Sequence, residues 1–360
     1  MKKHAIIPIF IPHRGCPNDC VFCNQKKITA RQDDVTPDAA REVIETWLST
    51  LEPGRVKNGG SMETIEIAFF GGSFTGLPID EQSAFLAVAH EYKVNGRIDK
   101  IHLSTRPDYI NEEILDNLKA YSVDVIELGV QSLSPAVLKA AGRGHDADCV
   151  YRASRLIQDY GFTLGIQLMV GLPGSDLEAE IYSAKETVNI APQIARLYPT
   201  VILPETALFD MYKDGSYTPM TEDDAVVRTA AMYKILDDAG IQIIRVGLKS
   251  SDIINAEEDG AAGNTFHPAF RQLVEGLIAR DQIEEQLTQP KMLKQPTSQN
   301  LTGQCMFVST EKSRNTLFGH KSANREYFAQ KYPELKIKYV TDVQAGLMLR
   351  DGQYRVVMTD

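Results

Sequence analysis

Three of the chain's five cysteines fall in one short stretch, RGCPNDCVFCNQ (residues 14–25), as Cys16, Cys20 and Cys23. A disulfide pairs two of them and leaves one over. A structural zinc centre takes four ligands, so the triplet would need a fourth donor from His13, Cys149 or Cys305. A [4Fe–4S] cluster fits the odd count differently. Three thiolates hold three irons and leave the fourth open to a small chelating molecule. Iron–sulfur and zinc both remain open on spacing alone. A purely structural set of buried thiols fits poorly, because the surrounding loop is polar.

Further polar residues gather where short apolar runs end. In FFGGSFTG (69–76), Gly71 and Gly72 let the backbone approach a ligand closely, and Ser73 follows. In STRPD (104–108), Ser104 precedes Arg106, whose guanidinium can grip a carboxylate through two hydrogen bonds. ELGVQS (127–132) ends in Gln131 and Ser132, neutral donors suited to hydroxyls or a carboxylate. MVGLPG (169–174) supplies Gly171 and Pro173 at a turn. Tyr198 in RLYPTVIL (196–203) offers a phenol for substrate contact or proton transfer, and a core tyrosine with a satisfied hydroxyl explains it equally. His102 and His145 read as core residues, and His267, beside Pro268, as a turn or cap.

The elements that must carry these residues alternate. Six apolar runs, AIIPIFIP (5–12), IEIAFFGG (65–72), KIHLSTRP (100–107), VIELGVQS (125–132), TLGIQLMVGLP (163–173) and RLYPTVIL, are separated by stretches of helical period. TPDAAREVIETWLSTL (36–51) opens with Thr36 as N-cap, Pro37 at the first helical position and Asp38 at the positive end of the dipole. Runs apolar on both faces are parallel strands covered by helices. The expected fold is therefore α/β, a partial (β/α)6 barrel over residues 1–250. The cysteines and the polar residues all fall at its C-terminal strand ends, where barrels do their chemistry. Residues 251–290 are expected as a helical extension, with one helix over 267–287. Residues 291–360 are expected as a small basic α/β segment.

Composition narrows the class. At 360 residues, 43% hydrophobic and 24% charged, the chain reads as globular. No apolar run reaches the roughly 18 residues of a membrane span, so no membrane partner is expected. The start lacks a signal-peptide core and the few cysteines form no disulfide framework, which points to a reducing cytoplasm. Charge is uneven. Residues 1–290 hold 27 Lys and Arg against 42 Asp and Glu, whereas residues 291–340 hold 9 against 3. The acidic body argues against nonspecific nucleic-acid binding, while the basic stretch could supply local attraction.

CxxxCxxC after the first strand of a βα barrel, with Phe22 just before the last cysteine, resembles the radical S-adenosylmethionine (SAM) superfamily. The resemblance implies a [4Fe–4S] cluster on Cys16, Cys20 and Cys23, with the methionine part of SAM chelating the open iron. It implies reductive cleavage of SAM to a 5′-deoxyadenosyl radical, fed by an external one-electron donor of flavodoxin or ferredoxin type. It places Gly71, Gly72 and Ser73 where the superfamily receives the methionine amino group, with Ser73 standing in place of an acid. Gly171 then lies on the strand whose backbone holds adenine.

CPNDCVFCNQ, AFFGGSFTGLP, STRPDYI, IELGVQSLSPAVLKAAGRGHD, MVGLPGS and LYPTVILPETALFDMYKDGSYTPMTEDDAV, in that order, resemble more narrowly the radical domain of the Elongator catalytic subunit. That family modifies C5 of the wobble uridine in tRNA with an added acetyl-CoA-binding acetyltransferase domain. The stretch after residue 250 is short for such a domain and shows no Gly-rich pyrophosphate loop. A tRNA partner, bound through residues 291–340, is the first expectation. Gly319-His320-Lys321-Ser322, followed by a helix and LKIKYV, resembles the KH module, with Ser322 at the place of the second glycine. A small metabolite or tetrapyrrole-like substrate is the alternative, since coproporphyrinogen oxidases share the LGVQS and GLP style of barrel. A zinc-stabilised RNA-binding protein is the third.

Overall fold

A computed structural model describes residues 4–11, 20–24, 35–56, 64–248, 266–289 and 303–359. Cys16 and His13 lie outside the described residues.

Seven parallel strands form one sheet in chain order: β1 (His4–Ile11), β2 (Thr64–Gly71), β3 (Lys100–Thr105), β4 (Val125–Gln131), β5 (Thr163–Val170), β6 (Ile194–Pro199) and β7 (Gln242–Val246). This is the open half-barrel expected from the βα alternation, with one strand more than six. QIIRV is short and carries Gln242 and Arg245, so its apolar pattern is weak, and pairing with β6 makes it a strand. The strands are buried on both faces, with Ile65, Ile67, Phe69, Ile126, Leu128 and Leu164 almost fully enclosed. That burial requires helices on the outside.

Capping fixes where those helices begin. The Thr36 hydroxyl accepts from the Ala39 N–H at 3.2 Å ahead of helix Pro37–Val56. Asn111, Asp146, Asp176 and Thr206 accept in the same way at four later helix starts. Each such cap contributes about 1 kcal/mol. Because every strand runs the same way, all their C-terminal ends share one edge, and the polar residues singled out above come together along it.

The chain divides into two compact units, Met1–Thr221 with Ile235–Phe266, and Glu222–Lys234 with His267–Asp360. In the second, helix Phe270–Leu287 and a three-stranded sheet share a core of Ile283, Cys305, Phe307 and Phe328. Strand β8 (Gly303–Ser309) is central, parallel to β9 (Leu335–Thr341) and antiparallel to β10 (Arg355–Thr359). Helices Arg314–Phe318 and Ala323–Lys331 connect β8 to β9. Between them Gly319, Lys321 and Ser322 all have positive φ. His267 builds the turn before the long helix: its Nδ1 accepts from the Ala269 N–H and its carbonyl from the Phe270 N–H, each at 3.0 Å. No helix of the described residues is long and apolar enough to cross a membrane.

Candidate cluster and cofactor site

Cys20 is buried and Cys23 partly exposed, and among the described residues neither forms a disulfide. The Cys23 N–H donates to the Cys20 carbonyl at 2.9 Å, a tight turn that keeps the two residues close. Backbone bonds fasten this turn on two sides. The Val21 N–H donates to Ala141 O at 3.2 Å, and the Leu208 N–H donates to Val21 O at 2.7 Å. Val21 and Phe22 also pack against Val137, Ala141 and Leu172 on one side and Ile202, Leu208 and Tyr217 on the other. The segment after β6 thus serves as a backing plate for the cysteine loop.

Two arginines converge on the Cys20 sulfur. Arg143 Nη1 donates to it at 3.1 Å, and Arg106 Nη1 lies 3.8 Å away. The rest of the Arg106 fork is closed by Asp108, at 2.9 and 2.8 Å, with a further bond of 2.6 Å to the Arg143 carbonyl. The expectation that Arg106 stands open to grip a ligand carboxylate is therefore corrected: Asp108 already fills that place. Arg143 also donates to the Gly129 carbonyl, and its guanidinium lies 6.0 Å from the centre of the Phe22 ring. His145 nearby is held neutral. Its burial and the Arg143 charge bring it down to about 4.

Two guanidiniums around one sulfur suit a thiolate bound to metal far better than a neutral thiol. The residues present thus fit an iron–sulfur cluster. Among the described residues no three His, Cys, Asp or Glu side chains converge as a metal centre. Cys305 is enclosed in the core of the second unit, where burial pushes its thiol up to about 12. Burial likewise raises the Cys149 thiol.

The other predicted residues line the same edge. Gly71 ends β2 at φ +108°, and a Cβ there would stand 3.0 Å from the Ile11 carbonyl, so glycine is required where β1 and β2 meet. The Gly72 N–H donates to that carbonyl at 2.7 Å, and Ser73 is buried just beyond. Ser104 is half-buried one residue before the end of β3. Gln131 holds a left-handed φ of +69° at the end of β4, a strained position for a side-chain-bearing residue, and its Oε1 accepts from Gln167 at 3.2 Å. Gly171 is more committed than expected. Its N–H donates to Glu180 at 2.8 Å and its carbonyl accepts from the Tyr217 hydroxyl at 2.7 Å, so its amide shapes the turn instead of facing a ligand. The Tyr198 hydroxyl accepts from Arg196 at 3.2 Å.

Comparison with known proteins accords with this geometry. A model of the radical SAM superfamily matches residues 10–183, and a radical SAM C-terminal domain model matches residues 192–280. The chain belongs to the radical SAM superfamily. Members use a [4Fe–4S] cluster and SAM. Among relatives, a tRNA uridine(34) acetyltransferase of Methanocaldococcus infernus is 28% identical over 254 residues, covering 62% of this chain and 48% of the relative. Human Elongator complex protein 3 is 25% identical over 291 residues, 67% of this chain and 53% of the relative. The chain spans about half the length of these relatives. The solved structure of an N-terminally truncated Elp3 from M. infernus superposes with a TM-score of 0.60 at 21% identity, over 78% of this chain and 64% of that one, which shows the shared fold.

Inside the barrel of this radical SAM protein lies a polar ladder that the sequence reading missed. Glu66 on β2 accepts from His102 on β3 at 2.6 Å and contacts His4 on β1 at 3.2 Å. His102 Nε2 lies 3.7 Å from Glu127 on β4, and Glu127 accepts from Arg196 on β6 at 2.6 Å. Burial works to raise the Glu66 carboxyl, but its bonds to His102 and His4 prevail and hold it at about 2. Gly165 on β5 makes the room: a Cβ there would stand 3.1 Å from the Glu127 side chain and 3.0 Å from Ile194. The signal was present in the sequence. Glu66, His102, Glu127 and Arg196 are each the third residue of their strand, polar or charged within apolar runs, and charges so placed must pair with one another.

Proposed function

We propose that this chain is a radical SAM enzyme that modifies tRNA, with its cluster on Cys16, Cys20 and Cys23. The observation that carries the reading is the pair of guanidiniums converging on the Cys20 sulfur at the C-terminal edge of a parallel half-barrel. When bound, the cluster and SAM supply a carbon radical able to abstract hydrogen from an unactivated carbon. The chain's own residues hold, orient and shield. Gly71 and Gly72 keep side chains away from the edge where a ligand backbone or amino group approaches, and Ser73 borders it. Ser104 and Gln131 offer neutral hydrogen bonds to ribose or carboxylate oxygens. Phe22, packed between two apolar clusters, fixes the cysteine loop and keeps water from it. Tyr198, on the same face as Arg196, is the proposed substrate contact inside the barrel. An external one-electron donor of flavodoxin or ferredoxin type completes the system.

The tRNA partner is supported by the similarity to Elongator proteins and by the basic residues of 291–340. Within that stretch Lys321, Arg325, Lys336 and Lys338 are exposed. The β8–helix–turn–helix–β9 order, with a left-handed turn at Gly319–Ser322, supports the KH-like reading. Such a turn gathers backbone N–H groups and lysines around one phosphate path.

Anaerobic reconstitution tests the cluster. The protein should take up about four irons and four sulfides with a broad visible absorption that bleaches on reduction. Alanine at Cys16, Cys20 or Cys23 should abolish this, and alanine at Cys149 or Cys305 should not. Stoichiometric zinc without sulfide in anaerobically purified protein would overturn the reading. Comparing tRNA nucleosides and small metabolites between wild-type and deletion cells then tests the substrate. A changed metabolite with unchanged tRNA would favour the small-molecule alternative.

A further inference from the structure

We propose that Arg143 is a positioning residue that sets the reduction potential of the cluster through the Cys20 sulfur; this rests on the cluster reading above. Arg143 is only 5% exposed, yet among the described residues no carboxylate lies within ion-pair distance of it. Its Nη2 is used on the Gly129 carbonyl, its Nε is buried without a hydrogen-bond partner, and its Nη1 points at Cys20 Sγ. A buried guanidinium is expensive to keep without an anion, and among the described residues the group that Arg143 Nη1 reaches is the Cys20 sulfur, which carries negative charge when it ligates a metal. Arg106, a few ångströms away, makes the contrast. It reaches the same sulfur but has Asp108 to neutralise it. Only Arg143 leaves its charge to the sulfur.

The physical consequence has a definite sign. Reducing the cluster adds one electron, delivered by the external donor, and therefore one negative charge beside Cys20. A fixed cation and an N–H donor at a ligating sulfur both favour the reduced form and raise the potential. The surroundings hold that cation in place. The turn after Ala141 is bonded to Val21 in the cysteine loop, and the Arg143 carbonyl is clamped by Arg106. His145, the nearest other titratable group on this turn, is neutral and adds no competing charge.

A redox titration of reconstituted protein, followed by visible absorption and EPR without SAM or substrate, reads the effect directly. In Arg143→Gln the reduced-to-oxidised ratio at a fixed potential should fall at least tenfold, which for one electron is about 59 mV. Arg155→Gln, at a side chain 85% exposed, is the control and should leave the ratio unchanged. An intact cluster in Arg143→Gln with a ratio within twofold of wild type overturns the proposal. If that variant holds no cluster, Arg143→Met, neutral and of similar reach, decides. A retained cluster with a ratio lowered threefold or more supports the assignment. Loss of the cluster, or a wild-type ratio, makes Arg143 a builder of the loop and overturns it. A wild-type protein that assembles no cluster is a separate failure, that of the cluster reading, and takes this proposal with it.

Discussion

The barrel carries two buried groups of charges, and their balance differs. In the interior ladder, imidazole and carboxylate alternate from His4 through Glu66, His102 and Glu127 to the Arg196 guanidinium, and both carboxylates are bonded within the sheet. At the cysteine loop, Arg106 has Asp108, whereas among the described residues Arg143 meets a sulfur, a carbonyl and the Phe22 ring but no acid. The two carboxylates of the ladder find their hydrogen bonds within the sheet, so its role is architectural. A buried charge that meets a cysteine sulfur instead of an acid is the one assigned above to the cluster. Two arginines on neighbouring turns therefore read differently, although each touches the same sulfur.

The largest expected effect comes from opening the closed network. Glu127→Ala leaves the Arg196 side chain, 10% exposed, without its acid. Breaking a buried pair from one side costs about 3–5 kcal/mol. Urea unfolding of the cluster-free protein should show a loss of that size. A change below about 1 kcal/mol would mean that water can reach Arg196 and that the ladder is not closed.

Next in size is an acid transition from the same ladder. The Glu66 carboxyl is held at about 2 against an ordinary 4.5, so the fold favours its ionised form. Its contribution is fully present above pH 4.5 and disappears as pH falls toward 2. Over that window it amounts to about 3 kcal/mol. Glu66→Gln should remove most of this slope between pH 4.5 and 2, which a series of unfolding curves would reveal. An unaltered slope in the variant would place the acid sensitivity elsewhere.

Much of the half-barrel was legible because its strands are apolar on both faces and its helices announce themselves by caps such as Thr36. Strand β7 was not, since QIIRV becomes a strand through pairing with β6 and not through its own pattern. The cysteine triplet was legible from spacing. Arg143 was not, because a basic residue in AAGRGHD looks like a solvated turn until folding places it against Cys20. Arg106 was over-read for a complementary reason: the residue that closes its fork, Asp108, stands two positions away in the same quoted motif. The ladder was overlooked because each member is a polar residue within an apolar run. Only the parallel register, which sets Glu66 opposite Lys100 and His102 opposite Val125, lines these residues up on one face, two positions apart.

A smaller effect would sharpen the contrast between the arginines. Arg106→Ala removes a guanidinium already neutralised, and Asp108, with a side chain 27% exposed, can turn to water. SAM affinity of the reconstituted protein should weaken by about 1 kcal/mol, short of the roughly 1.5–3 kcal/mol of a direct bond to a charged group. Equilibrium dialysis under anaerobic conditions measures it. A loss beyond 3 kcal/mol would show that Arg106 abandons Asp108 for the ligand.

The smallest expected effect on stability lies in the second unit, where charge is open in a different sense: it faces solvent. Lys321 and Lys338 are exposed, whereas the Arg325 guanidinium lies over the Phe318 and Tyr339 rings at 5.3 and 5.5 Å. Reversing Arg325 would remove a packing contact along with its charge, so Lys321→Glu with Lys338→Glu is the cleaner test. Unfolding free energy should change by no more than about 0.5 kcal/mol, as for other surface substitutions. Binding to tRNA should nonetheless fall steeply and lose part of its salt dependence, by roughly 0.7–0.9 in the log–log slope for each phosphate contact removed. Electrophoretic or fluorescence titrations across a range of salt would read both quantities. If the double variant binds tRNA as wild type does, the basic stretch is only a solvated surface, and the small-molecule substrate becomes the better reading of this enzyme.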